Sequence, residues 1–126
     1  MTAGGLALAR QAAARAQQRL YADVLTAWGW TDVRDGALTR PQRTLRYEEL
    51  PCRLSRVQVP APGRREDLPL TQEEYVLHTA PDVALQANDD LEVRRLGETL
   101  RGHAGKTHRY ATHCETAFVR ETAAGG

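Results

Sequence analysis

Serine, cysteine, aromatic residues and long apolar runs are all scarce in this chain, and each shortage excludes something. Ser55 is the single serine. It stands between Arg53 and Arg56, without the glycine-flanked elbow that exposes a hydrolase nucleophile. The two cysteines, Cys52 and Cys114, form no CxxC motif, and the chain does not open on a secretory leader. Free thiols in a reducing compartment are therefore expected. No apolar stretch is long enough to cross a bilayer as a helix, so no membrane partner is expected. Nor is there a glycine-rich phosphate loop or a Walker lysine. Charge has little bias: 17 basic residues against 16 acidic ones leave a net of +1. Binding to nucleic acid would then need a local patch, because bulk charge favours no partner.

The chemistry-bearing residues that are present do not assemble into a motif. His78, His103, His108 and His113, with Cys52 and Cys114, are the residues of metal-ligand type. His108 and His113 are five apart on one expected strand, which puts their rings on opposite faces. His113 and Cys114 are adjacent and point apart, which also denies a cysteine nucleophile its base. Zinc sites commonly use pairs two to four residues apart around a turn, and none is found. We expect no metal or cofactor, with His113 making a structural hydrogen bond at a rim and both cysteines as small apolar fillers. Neighbouring acids such as Glu73-Glu74 and Asp89-Asp90 read as solvated turns, so no enzyme activity is expected.

What the chain does have is strand character. With 126 residues, 41% of them hydrophobic and 26% charged, it has room for one domain with one modest core. Residues 70–121 alternate short β-prone runs with breakers: Ala80-Pro81-Asp82, Asn88-Asp89-Asp90, Gly97, and Gly102 through Gly105. Tyr75, Leu77, Val83, Leu85, Leu91 and Val93 recur at every second position, the period of a strand with one buried face. A last run over residues 107–120 places Tyr110, Cys114 and Phe118 on one face. Upstream, residues 51–59 read as a strand with Cys52 and Leu54 inward, and residues 44–47 as a further short strand. The expected fold is mainly β: a small antiparallel β-barrel of about six strands over residues 21–121. An N-terminal α-helix covers residues 1–20, and residues 122–126 form a flexible tail.

The helix rests on residues 6–20, rich in alanine, leucine, arginine and glutamine and free of proline and glycine. Leu6, Ala9, Ala13, Ala16 and Leu20 make a thin stripe at heptad spacing. Mostly alanine, it buries little area; the helix either lies on the side of the barrel or docks on a neighbouring subunit. Residues 22–33 fit a strand with Val24, Thr26, Trp28 and Trp30 on one face, although Leu20, Val24 and Trp28 also have helical spacing. The tryptophans read as core or interface fillers. Asp35-Gly36 makes a turn. Residues 60–69 hold three prolines and a glycine, so they form a long exposed loop around Arg64, Arg65, Glu66 and Asp67, either a solvated connector or a contact loop.

The order of these signals resembles a known family. An apolar strand, Ala80-Pro81-Asp82, Val83-x-Leu85, a turn into Asp89-Asp90-Leu91-Glu92-Val93, a glycine turn and a closing Tyr110-x-x-His113 are similar to the head-completion proteins of long-tailed bacteriophages. These are also called head-closure, stopper or minor capsid proteins. The segment Tyr47-Glu48-Glu49-Leu50-Pro51-Cys52-Arg53-Leu54-Ser55 resembles that family's Tyr-x-Gly-Ile-Pro-Cys-Arg-Leu-Ser strand. Glu49 and Asn88 stand where the family often has glycine.

The resemblance implies a structural virion protein of the head–tail connector, present in the host cytoplasm during assembly. It would form a ring with copies of itself, close the DNA-filled head and offer the surface to which the tail attaches. Its partners would be a portal-adaptor protein, a tail or tail-terminator protein, and packaged DNA. One loop of each subunit would enter the channel: residues 60–69 first, residues 34–43 second. Leu6, Ala13, Leu20, Trp28 and Trp30 are the candidate subunit interface. The alternative is a small β-barrel that binds nucleic acid or acts as a protein-interaction module. Arg53 and Arg56, Arg64 and Arg65, Arg94 and Arg95, then Arg101, Lys106, His108 and Arg109 are its basic clusters, but acids interleave them and stacking aromatics are few.

Overall fold

The computed structural model describes residues 2–60 and 71–121. One helix, α1 (Thr2–Gln18), precedes six strands: β1 (Asp23–Asp35), β2 (Leu38–Pro60), β3 (Thr71–Thr79), β4 (Asp90–Arg95), β5 (Glu98–Arg109) and β6 (Cys114–Arg120). All pairings are antiparallel, and the sheet closes on itself in the order β1-β2-β3-β6-β5-β4. Closure leaves no open edge around the barrel.

Alternation decides which side chains fill it. In β1 the buried positions are Asp23, Leu25, Ala27 and Gly29, while Val24, Thr26 and Trp28 lie on the outer face. Cys52 and Leu54 of β2, Tyr75 and Leu77 of β3, Leu91 and Val93 of β4, Leu100 and Ala104 of β5, and Cys114 and Phe118 of β6 complete the interior. Val83 and Leu85 join this core from the irregular connection between β3 and β4, not from a strand.

β2 organises the rest. Its first part pairs with β1, from Leu38↔Asp35 to Cys52↔Asp23, and its last part with β3, from Arg53↔His78 to Pro60↔Thr71. The segments expected as separate strands at 44–47 and 51–59 belong to this one element. Two register shifts bend it: Leu25 pairs with Leu50, Ala27 with Tyr47, and Trp28 with Leu45, so β2 carries extra residues near Glu48-Glu49 and at Arg46. Such bulges bend a strand and sharpen its twist. Glu49 takes positive φ (55°) at the first of them.

Turns follow the chemistry their residues permit. Leu96 and Gly97 join β4 to β5 with φ of 50° and 80°, positive at both positions as a two-residue type I′ hairpin loop requires. Gly36 (φ 65°) opens the turn between β1 and β2.

Two expectations about the C-terminal run are corrected. Residues 107–120 are not one strand: β5 ends at Arg109, the chain turns through residues 110–113, and β6 begins at Cys114. Tyr110 therefore leaves the core and is 49% exposed in the turn. Gly102 through Gly105 is no turn, but the interior of β5. Gly102 is needed there because a β-carbon would meet the Val119 carbonyl at 2.3 Å and the Phe118 ring at 3.0 Å.

The helix ends as short caps do. Arg19 N–H reaches the Arg15 carbonyl, and the Leu20 and Tyr21 N–H groups tighten onto Gln17 and Gln18. Leu6, Ala9, Ala13, Ala16 and Leu20 are all exposed, and among the described side chains of α1 the buried one is Ala14.

Candidate functional site

β1 and β2 outrun the barrel and build an arm. The pairing of β1 with β4 stops at Trp28↔Asp90, while its pairing with β2 continues from Gly29↔Thr44 to Asp35↔Leu38. Seven residues of extended chain reach roughly 23 Å. Trp30 (48% exposed) and Leu38 (75%) are the large exposed apolar residues of this stretch; Val33 is half-buried, and most of the rest is polar and exposed. At the other end of β2, residues 57–60 pair with residues 71–74 before β6 joins at Tyr75↔Phe118, so a second two-strand projection forms there. It leads into residues 61–70. Arg64, Arg65, Glu66 and Asp67, the first expectation for a channel loop, lie outside the described residues. The second, residues 34–43, covers the tip of the arm and runs down its second strand to Arg43 near the base.

The arm is fixed at its base by two arginines. Arg43 lies over the Trp28 ring at 4.0 Å, and its Nε is 3.2 Å from Asp90 Oδ2. Trp28 is thus a half-buried strut, and Trp30 alone of the two tryptophans is exposed. Arg46, at the second bulge, is paired with the buried Asp89, Nε to Oδ2 at 3.0 Å. Its guanidinium occupies the space over Gly29, where a β-carbon would sit 2.0 Å from Nη2. Asp89 Oδ2 also accepts the Gln86 N–H at 2.9 Å.

Five arginines among the described residues are paired with carboxylates. Arg56 pairs with Glu73, Arg94 with Glu49 and Arg101 with Glu92, besides the Arg43 and Arg46 pairs. These contacts draw basic side chains of the expected clusters onto neighbouring carboxylates.

A second constellation sits on the outer face where β3 meets β6. Their register sets His78 opposite Glu115, and the turn at residues 110–113 brings His113 beside both. His113 Nε2 is 2.7 Å from Glu115 Oε2, and Nδ1 is 3.1 Å from Thr112 Oγ1. Tyr110 stacks on the His113 ring at 4.9 Å, and His78 stacks at 5.8 Å. Burial holds the His78 pKa below the ordinary histidine value; Glu115 pulls it up, and His113 and Arg53 add to the lowering. Sequence reasoning missed this group because it put His108 and His113 on one strand. The signal available was the Tyr110-x-x-His113 turn, which ends one strand and starts the next.

Both thiols point into the barrel. Cys114 Sγ lies 3.6 Å from the Pro81 carbonyl and 3.7 Å from that of Val83. Cys52 is fully buried, and its thiol is pushed up to about 12, first by burial and then by the nearby Asp23 carboxylate. Asp23 is itself buried and accepts the Leu54 N–H at 2.9 Å. A pKa raised from 9.0 to about 12 means the unfolded chain releases this proton first. The contribution to stability is then complete below about pH 9 and is lost as pH rises towards 12. In urea titrations between pH 8 and 11, the stability difference between wild type and Cys52→Ala will shrink steadily above pH 9. A difference constant across that range would show that the thiol is not held neutral. Neither thiol will react with a disulfide reagent at pH 8 until the chain unfolds.

Comparison with protein-family models, with curated proteins and with solved structures returns no match to this chain.

Proposed function

We propose that this chain is the head-closure, or stopper, component of a bacteriophage head–tail connector. A coincidence in the backbone carries the reading. Glu49 (φ 55°) and Asn88 (φ 72°) adopt the left-handed conformation, and they are the two positions at which the resembled family often has glycine. Glycine enters that region freely, whereas other residues lose roughly 1–2 kcal/mol there. The family pattern and this fold thus ask for the same backbone at both places, although the side chains differ.

The architecture suits the role. A ring of identical subunits needs head-to-tail contacts between two different surfaces. The barrel supplies a rigid body and the two ends of β2 supply projections. The exposed stripe of Leu6, Ala13 and Leu20, with Trp30 on the arm, supplies apolar contact. In the virion the ring would lie between a portal-adaptor protein and a tail or tail-terminator protein, with the arm tip or residues 60–69 towards packaged DNA. The role is structural and requires no catalysis.

The test is deletion of the gene from the virus that carries it. DNA-filled heads that leak, together with free tails, are expected. Intact heads joined to tails would end the proposal.

A further inference from the structure

We propose that His78, His113 and Glu115 form a binding site for one divalent transition-metal ion of the zinc class. Each residue offers one donor atom, and the three donors lie within 4.8 Å of one another. They come from three places that the fold alone unites: β3, the turn at residues 110–113, and β6. Tetrahedral zinc with ligands near 2.0–2.1 Å holds its donors about 3.3 Å apart. His113 Nε2 and Glu115 Oε2, 2.7 Å apart, would open by about 0.6 Å, and the widest donor separation, within 4.8 Å, would close by about 1.5 Å, both through side-chain rotation. The side chains of His113 and Glu115 are partly exposed, 14% and 34%, which leaves room for it and an outward position for water.

The surroundings are those of a ligand set. Metal-bound histidines ordinarily give their other ring N–H to an oxygen, which fixes the tautomer. Thr112 Oγ1 stands in that position at His113 Nδ1, 3.1 Å away. With the metal on His113 Nε2, the one remaining ring proton sits on Nδ1, where Thr112 Oγ1 accepts it. Tyr110, stacked on the ring, holds its plane. Cys114 lies between two of the ligands in sequence, yet its sulfur faces the Pro81 and Val83 carbonyls inside the barrel. The donor set is two imidazole nitrogens and one carboxylate oxygen, which suits zinc, copper or nickel better than calcium or magnesium. Arg53, the strand partner of His78, opposes the cation, so affinity is moderate and not that of a closed structural site.

The experiment uses the untagged, metal-stripped full chain. Zn2+ is titrated in competition with a chromophoric chelator, and Co2+ binding is followed by visible absorption. One ion per chain is expected. Glu115→Gln, nearly isosteric and so safe for folding, and His113→Ala should each weaken binding by at least about tenfold. His103→Ala, outside the group, should bind as wild type does, and millimolar Mg2+ should not compete. Wild-type affinity in Glu115→Gln, or no bound ion in the parent chain, would overturn the proposal.

Discussion

Truncating Phe118 to alanine will remove about 4 kcal/mol of unfolding free energy, near the middle of the range for a buried phenylalanine. It is the single phenylalanine of the chain and is 3% exposed. Its ring meets Tyr75 edge-on at 6.1 Å and lies against Gly102. The strand partners around it decide the size of the loss. Gly102 and Ala104 of β5 are small, so neither has a side chain able to fill the space the ring leaves. A cavity that cannot collapse costs both the transfer of the ring and the unfilled volume. Phe118→Leu, which refills most of the volume, should cost about 1.5 kcal/mol. Urea midpoints at constant m will separate the two variants. A loss below about 1.5 kcal/mol for the alanine variant would place the ring outside the core.

That ring was legible from its sequence position, and so was the mainly β, barrel-like fold with its leading helix. Period-two alternation is a local signal, and it identified the buried residues Cys52, Leu54, Tyr75, Leu77, Leu91 and Val93. The misreadings have physical causes too. Gly102 and Gly105 look like breakers, but in β5 glycine makes room for close neighbours: a Gly105 β-carbon would meet that of Ala117 at 3.0 Å. Tyr110 has the right parity to follow Phe118 only if the strand is unbroken, and no proline or glycine marks the turn at residues 110–113. Leu25 and Ala27 carry a weaker core signal than the larger tryptophans, which lie on the opposite, outward face of β1.

The candidate sites were harder to read, since each depends on long-range register. Nothing local says that His78 will stand opposite Glu115. The arm exists because β2 keeps pairing with β1 beyond Asp90, the first residue of β4, and strand length of that kind has no sequence signature. Glu49 and Asn88 were different. They read as departures from a pattern with glycine, where a different turn type is expected; both take positive φ, Glu49 at the bulge in β2 and Asn88 where its N–H bonds the Ala104 carbonyl.

The base of the arm gives the other large effect. Asp89→Ala will cost about 3 kcal/mol, the lower end for breaking a buried ion pair by removing one partner. Asp89 is 2% exposed and accepts two hydrogen bonds, from Arg46 Nη2 at 3.4 Å and the Gln86 amide at 2.9 Å; Arg46 Nε adds an ion pair at 3.0 Å without a hydrogen bond. Alanine leaves the guanidinium over Gly29 without its carboxylate and the Gln86 amide without an acceptor, and unmet buried donors are what make such losses large. The Arg46 side chain keeps 28% exposure, so water relieves part of the penalty; hence the lower end of the range. Arg46→Met in the Asp89→Ala background should recover stability, because an apolar pair of similar shape needs no partner. Gly29→Ala reaches the same contact from the other strand by displacing Arg46, so its cost should largely disappear once Asp89 is alanine. Hydrogen exchange will show where the loss is felt: amides of residues 29–31 and 86–89 should lose protection before those of β3 and β6. If the arm amides exchange no faster while overall stability falls, Asp89 supports the barrel and does not hold the arm to it.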